Sequence, residues 1–348
     1  MNTPFRILTG HRTTGPRHLG HLVGTLTTWI DLQIRHECFF LVADLHTLTT
    51  GSIDPQTLRR NVLELTADWI ATGIDPRRAV IFLQSAVPQH AQLSLLLGML
   101  VSEARLHHIP TYKEQIRQLH LQPTLGFLSY PVLQAADILL YKADMVPVGE
   151  DQLPHLELAR EIARRFNRQY GPTFSEPQAI LSSQPRLPGI DNRTMHTSYG
   201  NAIYIKDTPE ETTRKVMRMY TDPARIHAHD PGKVDGNPVF TYLDAFGPDP
   251  AAVSALKERY TAGAVGDVDV KRYLAEVLNT HLQPIRERRT ELIADSGYLS
   301  EILAQGSRRA RETAARTLDE VYQRMGLGIP VQSASPSTLA PLPSYLFC

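Results

Sequence analysis

The sequence predicts an α/β protein, in which a parallel sheet carries helices on both faces and a second, smaller domain is all-helical. Short apolar runs alternate with amphipathic, helix-length segments through residues 5–149, and this alternation is typical of strand–helix–strand units. After about Lys206 the segments become charged and helical. A chain of 348 residues is also long enough for about two domains.

The elements of the first half follow in order. Residues 5–8 are a short strand that ends at Thr9-Gly10 and leads through a turn-rich stretch into a helix over 19–33. Helix 55–71 is amphipathic, because Leu58, Val62, Leu65 and Trp69 recur at helical spacing. The remaining predictions are strands at 39–44, 80–83 and 145–149 and a helix at 93–101. Ligands of such sheets bind at the carboxyl ends of the strands.

The second half predicts helices at 209–220, 251–260, 268–294 and 298–326. We therefore expect a first domain over 1–205 and a helical domain over 206–326, whose C-terminal helix is able to pack back on the first domain. Residues 327–348 are rich in proline and serine, and this composition predicts a mobile tail.

Composition narrows the class of protein only coarsely. Lys+Arg and Asp+Glu both number 36, and this neutral balance neither indicates nor excludes a nucleic-acid partner. Cys38 and Cys348 are too few and too far apart for a disulfide framework or a cysteine metal site. Cys38 lies in an apolar run and is expected to be buried. Without a signal peptide or a membrane-spanning run, the expected location is the cytoplasm.

Three motifs carry the candidate chemistry. The first, Thr13 to His21, follows the first strand and opens the first helix. A helix N-terminus binds anions, and His18 and His21 share a face there. Two ordinary surface histidines would have the same sequence pattern. The strand before the motif and the helix after it favour a nucleotide site.

The second motif is the apolar helix 130–141, which contains a single carboxylate, Asp137. Burial of a carboxylate requires a partner, either a ligand N–H or a structural one; a solvated or capping aspartate fits the pattern equally well. The third motif is a strand that runs into Gly149-Glu150-Asp151-Gln152. There an acid is able to accept from ribose hydroxyls or simply to cap the next helix.

Together these motifs resemble those of the class I tryptophanyl-tRNA synthetases over about residues 5–326. His18-Leu19-Gly20-His21 is similar to the first class I signature, 130–137 to the tryptophan-pocket helix and 146–152 to the Gly-Glu-Asp-Gln strand end. The run 135–141 indicates tryptophan rather than tyrosine. The resemblance implies a Rossmann-type nucleotide-binding domain.

The resemblance also implies residue roles. Asp137 is expected to accept the indole N–H, and Tyr130 and Gln152 to hold the substrate ammonium. The indole slot is expected to be lined by Leu8, Gly10, His46, Gln134, Val146 and Val148. Many relatives carry methionine in place of Gln134, whose polar side chain alters the grip on the ring or admits a water. Contacts to ATP are expected from Arg12, Thr13, Thr14, Gly20, His21, Gly149, Glu150, Asp151, Leu187, Thr194, Met195, His196, Thr197 and Ser198. The catalytic set is expected to be His18, His21, His196, Thr197 and Ser198.

The chain departs from the family at its second signature, Lys-Met-Ser-Lys-Ser. The corresponding residues are Thr194-Met195-His196-Thr197-Ser198, so both lysines that bind pyrophosphate are threonines. Removing one such contact typically costs about 10²–10³ in rate. His196 or the adjacent Arg193, which is always charged, is the candidate substitute. We expect slower activation or a heavier reliance on Mg²⁺, which arrives with ATP and needs no protein metal site.

The implied reaction has two steps. The tryptophan carboxylate attacks the α-phosphorus of ATP, and the acyl group then passes to the 2′-hydroxyl of tRNA(Trp), with positioning and charge stabilisation as the main catalytic effects. Discrimination is expected to rest on Asp137. The resemblance further implies a homodimer and an anticodon-reading helical region. The arginines at 286, 288, 289, 308, 309, 311 and 316 fit tRNA contact, although a solvated helix face has the same pattern.

Three alternatives stay open. A tyrosyl-tRNA synthetase shares the fold and first signature but has a different pocket. A small-molecule nucleotidyltransferase would not need the helical half or the loop 187–203. A paralogue that binds tryptophan or its adenylate as a sensor, or as the partner of an unidentified protein, is suggested by the missing loop lysines.

Overall fold

The structure, a computed structural model, describes residues 4–110, 112, 113, 116, 123–181, 186–195, 199–223, 225, 227 and 229–328. Its centre is a five-stranded parallel sheet in the order β3-β2-β1-β4-β5. The strands are β1 (Arg6–Arg12), β2 (Glu37–Ala43), β3 (Val80–Leu83), β4 (Met145–Val148) and β5 (Gln178–Leu181). The predicted α/β class with a parallel sheet is confirmed, and β5 is a strand that the sequence pattern did not reveal.

Helices and helical turns connect the strands. They are α1 (Leu19–His21), a π-helical turn (Leu22–Leu26), α2 (Thr27–Arg35), α3 (Asp44–Leu48), α4 (Pro55–Thr72), a 3-10 turn (Gln84–Ala86), α5 (Gln89–Gly98), α6 (Glu103–His107), α7 (Leu125–Leu140), a second 3-10 turn (Glu150–Gln152) and α8 (Leu153–Tyr170). The single helix predicted over 19–33 is therefore divided by a π-helical turn.

The second half is helical, as predicted. Its helices are α9 (Pro209–Met217), α10 (Pro238–Phe246), α11 (Pro250–Thr261), α12 (Asp267–Ala294) and α13 (Ser296–Met325). Of these, α10 was not predicted. Among the described residues, none of the helices is both long and apolar enough to cross a membrane.

Local chemistry fixes the element ends. The side chain of Asp54 accepts the Thr57 N–H at 2.8 Å, Pro55 follows as the first helical residue, and α4 stops at Gly73, whose φ is 123°. An acceptor at the N-cap satisfies an amide that the helix leaves without a partner, and glycine adopts positive φ at little cost.

The sheet separates two apolar cores. Alternate residues such as Ile7 and Phe40 face one core, which also contains Trp29, Trp69 and the inner faces of α9 to α12. Their neighbours, such as Leu8, face the other, beneath α5, α7 and α8. Strand β2 is buried at every position after Glu37, including Cys38, as expected for a strand covered on both faces.

Helix α13 covers the edge of the sheet at β3. The Ser307 hydroxyl accepts the Leu83 N–H at 3.2 Å, which satisfies an amide that an edge strand would otherwise expose. A Cβ at Gly306 would stand 1.8 Å from the Ile81 carbonyl oxygen. Only glycine therefore allows the helix to lie this close to the strand.

Candidate active site

A crevice is expected where the strand order reverses, between β1 and β4. The chain leaves β1 toward β2 on one side and reaches β4 on the other, so the loops at the carboxyl ends of these two strands diverge. Residues 13–18 follow β1, and Gly149 and the turn Glu150–Gln152 follow β4. The fold thus brings the first and third sequence motifs to one edge of the sheet.

The two histidines of the first motif cap the helix reciprocally. The Nδ1 of each imidazole accepts the backbone N–H of the other residue at 3.3 Å, and the ring centroids are 3.7 Å apart. Because Nδ1 accepts, the hydrogen of each neutral ring lies on Nε2. A Cβ at Gly20 would lie 3.0 Å from the His18 Nδ1. Glycine therefore allows this arrangement, which gives His18 and His21 the Nε2–H donors that phosphate oxygens accept.

Asp68 holds the loop of residues 13–18 from the interior of the protein. This aspartate of α4 is fully buried; its Oδ2 accepts the Arg17 N–H at 3.0 Å and its Oδ1 accepts the Nε–H of Arg289 at 2.6 Å. The Arg17 guanidinium is buried as well and donates to the Gly15 carbonyl at 2.7 Å. Burial lowers the pKa of Arg17 to about 10, against the opposing charge of Asp68. Buried ion pairs thus hold the loop of residues 13–18 in position.

Thr13 belongs to the same support. Its N–H and hydroxyl lie 2.9 and 2.8 Å from the Thr47 hydroxyl, and its carbonyl accepts from Asn61 at 3.0 Å. Thr13 is completely buried, whereas Thr14 is exposed. The neighbouring Arg12 donates to the Thr50 hydroxyl, and burial lowers its pKa. Of the two predicted threonine contacts to ATP, only Thr14 has an exposed side chain.

Asp137 lies in α7, 2% exposed, among three side-chain donors. His90 Nδ1 lies 2.6 Å from its Oδ1, and His46 Nε2 lies 2.7 Å from its Oδ2. The Gln84 amide is 2.9 and 3.0 Å from the two oxygens. Burial alone raises the pKa of Asp137, but Coulomb attraction by His46 and His90 and their hydrogen bonds outweigh it and hold the pKa well below its usual range. The carboxylate is thus an ionised acceptor that polar side chains surround inside the protein.

A second polar chain crosses the same region. The Tyr130 hydroxyl is 3.1 Å from His155 Nε2, and His155 Nδ1 is 3.0 Å from the Gln152 Oε1, which also accepts from Gln134 at 3.3 Å. Burial, the largest effect, lowers the pKa of His155 to about 4 against the opposing charge of Asp151. The ring is therefore neutral at pH 7, with Nδ1–H donating to Gln152 and Nε2 accepting from Tyr130. His155 joins the two residues predicted to hold an ammonium group.

The apolar residues of the predicted slot come from β1 and β4. Leu8 and Val146 are buried in the same core as Tyr130, and the partly buried Val148 packs against it. Gly10 presses against β2, since a Cβ there would lie 2.2 Å from the Leu41 carbonyl oxygen. A side chain at this position is excluded by the neighbouring strand itself.

The residues after β4 are exposed. Glu150 and Asp151 reach solvent, and the Arg186 guanidinium lies 4.0 and 3.5 Å from their carboxylates. A Cβ at Gly149 would stand 2.7 Å from the Asp151 Oδ1, so glycine allows that carboxylate to turn back toward the strand end.

The chain before and after residues 196–198 lies close to the first motif, Thr13 to His21. Asn201 donates to the Thr194 carbonyl at 3.0 Å, and the buried Met195 sulfur would be 3.3 Å from a Cβ at Gly20. Ile203 accepts the Leu19 N–H at 2.9 Å. Leu187 is buried in the same core as Met195.

Between these anchors, Arg193 is exposed and pairs with Asp191 at 2.6 Å. The predicted residues His196, Thr197 and Ser198 lie outside the described residues, as do residues 329–348 of the predicted tail.

The basic residues of the second half divide into two groups. Arg289 is committed to Asp68 and Glu64, and Arg286 donates to Thr212 and Asn279. Exposed residues remain at Arg288, Arg308, Arg309, Arg311 and Arg316. Of these, Arg308 pairs with Glu301, Arg311 donates to a backbone carbonyl and Arg316 donates to the Thr313 hydroxyl.

Several site residues had no sequence signal. Gln84, His90 and Asp68 belong to segments that read as ordinary sheet-to-helix turns and helix faces, and His155 was noted only as part of a helix. Their roles depend on contacts with residues 25 to 221 positions away, and spacing within a motif does not report such contacts.

Comparison with known proteins identifies the family of this chain. The family described as tRNA synthetases class I (W and Y) matches residues 1–283. The chain therefore belongs to the class I tRNA synthetases of the tryptophan and tyrosine type.

Within that family, the sequence relatives at 41–51% identity are tryptophan–tRNA ligases. The tryptophan–tRNA ligase of Treponema pallidum is 51% identical over 93% of this chain and 97% of its own. That of Thermotoga maritima is 47% identical over 93% and 99%. The tryptophanyl-tRNA synthetase of Campylobacter jejuni, crystallised with ADP and tryptophan, superposes with a TM-score of 0.85 at 32% identity and covers 92% of this chain and 100% of that one.

Proposed function

We propose that this chain is a tryptophan–tRNA ligase, which converts L-tryptophan and ATP to tryptophanyl-adenylate and pyrophosphate and then esterifies tRNA(Trp). The observation that carries the proposal is Asp137, a buried and ionised carboxylate on the largely apolar helix α7. Such a group selects a ring that donates a hydrogen bond, as indole does. The tryptophan–tRNA ligases among its relatives support the choice of amino acid.

The first step needs alignment rather than a base, because the tryptophan carboxylate is already a nucleophile. Its oxygen forms a bond to the α-phosphorus, and the bond from that phosphorus to the bridging oxygen breaks, so that pyrophosphate leaves with the electron pair. In our proposal the Nε2–H groups of His18 and His21 donate to phosphate oxygens, and Thr14 contacts the nucleotide. Thr13 has a supporting role, since its polar groups are used inside the protein.

The polar chain from Tyr130 to Gln152 is suited to the substrate ammonium. Since Tyr130 donates its hydrogen to a neutral His155, its oxygen meets an ammonium group as an acceptor. In our proposal Glu150 and Asp151 accept from the ribose hydroxyls. Gln134, which donates to Gln152, ties the pocket helix to this chain.

Charge neutralisation on pyrophosphate is the unusual feature. Arg12 is the last residue of β1, and Arg193 lies just before the residues that replace the second signature. In our proposal these guanidinium groups, together with His196 and the Mg²⁺ that accompanies ATP, take the part of the missing lysines. Among the described residues, no cluster of three His, Cys, Asp or Glu side chains is suited to a metal ion. Mg²⁺ enters our proposal as a component of the substrate MgATP.

The partners follow from the same proposal. The exposed arginines of α12 and α13 (Arg288 and Arg309) contact tRNA(Trp), and the enzyme works in the cytoplasm, where its substrates are. A homodimer is supported by large apolar side chains that are exposed on two helices packed against each other. These are Leu95 on α5 and Leu125 on α7, 67% and 80% exposed, with Met99 just after α5.

A second candidate function is a tryptophan- or adenylate-binding paralogue with weak charging, which acts as a sensor or with an unidentified protein. One observation favours it, the threonines that replace both loop lysines at 194 and 197.

The deciding experiment is tryptophan-dependent ATP–pyrophosphate exchange, followed by charging of cognate tRNA. Asp137→Asn keeps the size of the side chain and removes its charge, and we expect it to lose exchange. Asp244→Asn, on the surface of α10 where it pairs with Lys257, is the matched control and should leave the rate unchanged. Exchange and charging together support the ligase, exchange without charging supports the paralogue, and exchange with tyrosine instead would contradict both.

A further inference from the structure

Behind Asp137 lies a second layer of polar residues that the reaction does not touch. His90 is completely buried, and its Nε2 lies 2.9 Å from the Tyr141 hydroxyl, which is also completely buried. Asp137, His90 and Tyr141 thus form a continuous hydrogen-bonded chain that leads from the pocket wall into the core. Because His90 and Tyr141 have no exposed surface, any effect they have on the reaction must pass through Asp137.

The chemistry of the carboxylate gives the direction of the first hydrogen bond in this chain. An ionised carboxylate only accepts, so His90 Nδ1 donates to Asp137. The second hydrogen bond joins His90 Nε2 and the Tyr141 hydroxyl. Burial and the negative charge of Asp137 raise the pKa of Tyr141, so the phenol keeps its hydrogen and remains a donor.

Packing prevents the chain from rearranging. The His90 ring stacks on Phe82 with 5.9 Å between centroids and 25° between planes. Tyr141 lies against Phe39 and Phe82 at 4.8 and 5.2 Å. Rotation of either ring would displace aromatic side chains in a close-packed core.

Gln84 fixes the carboxylate from another side. Its Oε1 accepts the His46 backbone N–H at 3.3 Å, so its amide nitrogen faces both Asp137 oxygens. Each of the two carboxylate oxygens thus has two contacts with protein donors, from His90 and Gln84 at Oδ1 and from His46 and Gln84 at Oδ2. The His46 side chain is 9% exposed and that of His90 is 0% exposed. His46 is therefore the donor on the pocket side, where an indole N–H must take a place.

We propose that His90 and Tyr141 are positioning residues that hold Asp137 in the one orientation in which its pocket-side oxygen accepts a ring N–H, and that they thereby set the selectivity of the site for N–H-bearing rings. This inference rests on the proposed activation of tryptophan. A site built around a buried acceptor rejects a ring without the hydrogen by up to about 10⁴-fold, but only while the acceptor is held in place.

The test compares tryptophan with 3-(benzothiophen-3-yl)alanine, in which sulfur replaces the ring N–H. The quantity is the ratio of the two kcat/KM values in pyrophosphate exchange. We expect Tyr141→Phe, which removes one hydroxyl, to lower the ratio about tenfold. His90→Leu should lower it further, almost entirely through tryptophan, while His90→Asn keeps a donor toward Asp137 and restores much of the ratio.

The matched control is Tyr260→Phe. Tyr260 is also completely buried and also donates to an aspartate, Asp267 at 2.7 Å, but it lies in the helical second half. Its variant should keep the wild-type ratio. Equal losses with both amino acids, or an unchanged ratio in Tyr141→Phe, would overturn the inference and leave His90 and Tyr141 as structural residues.

Two further outcomes are decisive. If His90→Leu does not fold, as judged by near-ultraviolet circular dichroism, Tyr141→Phe and His90→Asn decide the question. If the wild-type protein shows no exchange with either amino acid, the proposed ligase function fails by itself. The same ratio is then measured as calorimetric binding constants, where retention of the preference by Tyr141→Phe refutes the positioning role and its loss supports it.

Discussion

Replacing Asp68 by alanine removes the centre of the ion network beneath the nucleotide loop. The carboxylate is fully buried and binds the Arg17 N–H and the Arg289 guanidinium. Without it the Arg17 amide and guanidinium lose their buried acceptor and counter-charge, whereas Arg289 keeps Glu64 at 3.3 Å. Removing one partner of a buried ion pair costs about 3–5 kcal/mol. Because Glu64 retains part of the pairing, we expect the free energy of unfolding to fall by about 3 kcal/mol, at the lower end of that range.

Urea unfolding followed by tryptophan fluorescence measures this loss. The two tryptophans of the chain, Trp29 and Trp69, are buried with 5.4 Å between their rings, and Trp69 directly follows Asp68. Glu301→Gln, which removes an exposed ion pair with Arg308, is the control and should not move the midpoint.

A double-mutant cycle with Arg289→Met isolates the pair itself. We expect a coupling of at least about 1 kcal/mol between Asp68→Asn and Arg289→Met, since residues in direct contact are non-additive by about 0.5–3 kcal/mol. Additive effects of the two substitutions would show that the ion network does not stabilise the loop. A loss below about 1 kcal/mol in the free energy of unfolding of Asp68→Ala would show the same.

Three other outcomes follow from the structure. Burial lowers the pKa of His155 to about 4, so its contribution to stability is fully present above its unfolded pKa near 6.5 and is lost as pH falls toward 4. At about 1.4 kcal/mol per pH unit, this loss amounts to about 3 kcal/mol. The urea midpoints of His155→Gln should lack that part of the acid dependence. Gly306→Ala should lower the free energy of unfolding by about 1–3 kcal/mol because its Cβ meets the Ile81 backbone. The control, Gly297→Ala on the same helix, should leave it unchanged. Equal urea midpoints for the two variants would mean that α13 shifts freely. Thr197→Lys, which restores a signature lysine, should raise the exchange rate by about 10², and an unchanged rate would show that other groups already hold pyrophosphate.

The sequence was informative where one element carried its own signal. Strand β2 was predictable because its apolar residues form one uninterrupted run, and Asp137 because a lone acid stands out in an apolar helix. The strand β5 was missed because Gln178–Leu181 is short, begins with a polar residue and has only half-buried or exposed positions. The π-helical turn at 22–26 was missed because a local widening of the helix barely changes the spacing of its apolar residues.

The contacts that complete the site were beyond sequence reasoning for a different reason. Nothing near His90 indicates that it meets Asp137, 47 residues away, and nothing near Arg289 indicates Asp68, 221 residues away. The arginine instead fitted a basic stripe that suggested nucleic-acid contact. Charge patterns on a helix do not distinguish a solvated cation from one that the fold pairs with a distant acid.

The cover of β3 by α13 has a consequence for synthesis on the ribosome. Leu83 and Ser307, which bond across this contact, are separated by 224 residues. At roughly 5–20 residues per second, the nascent strand waits about 10–45 s for the helix that covers its edge. Until then its amide groups are open to pairing with other chains. During synthesis the edge of β3 is therefore exposed for a long interval in which the chain is prone to aggregate and a chaperone is able to bind. In the folded protein α13 covers this edge.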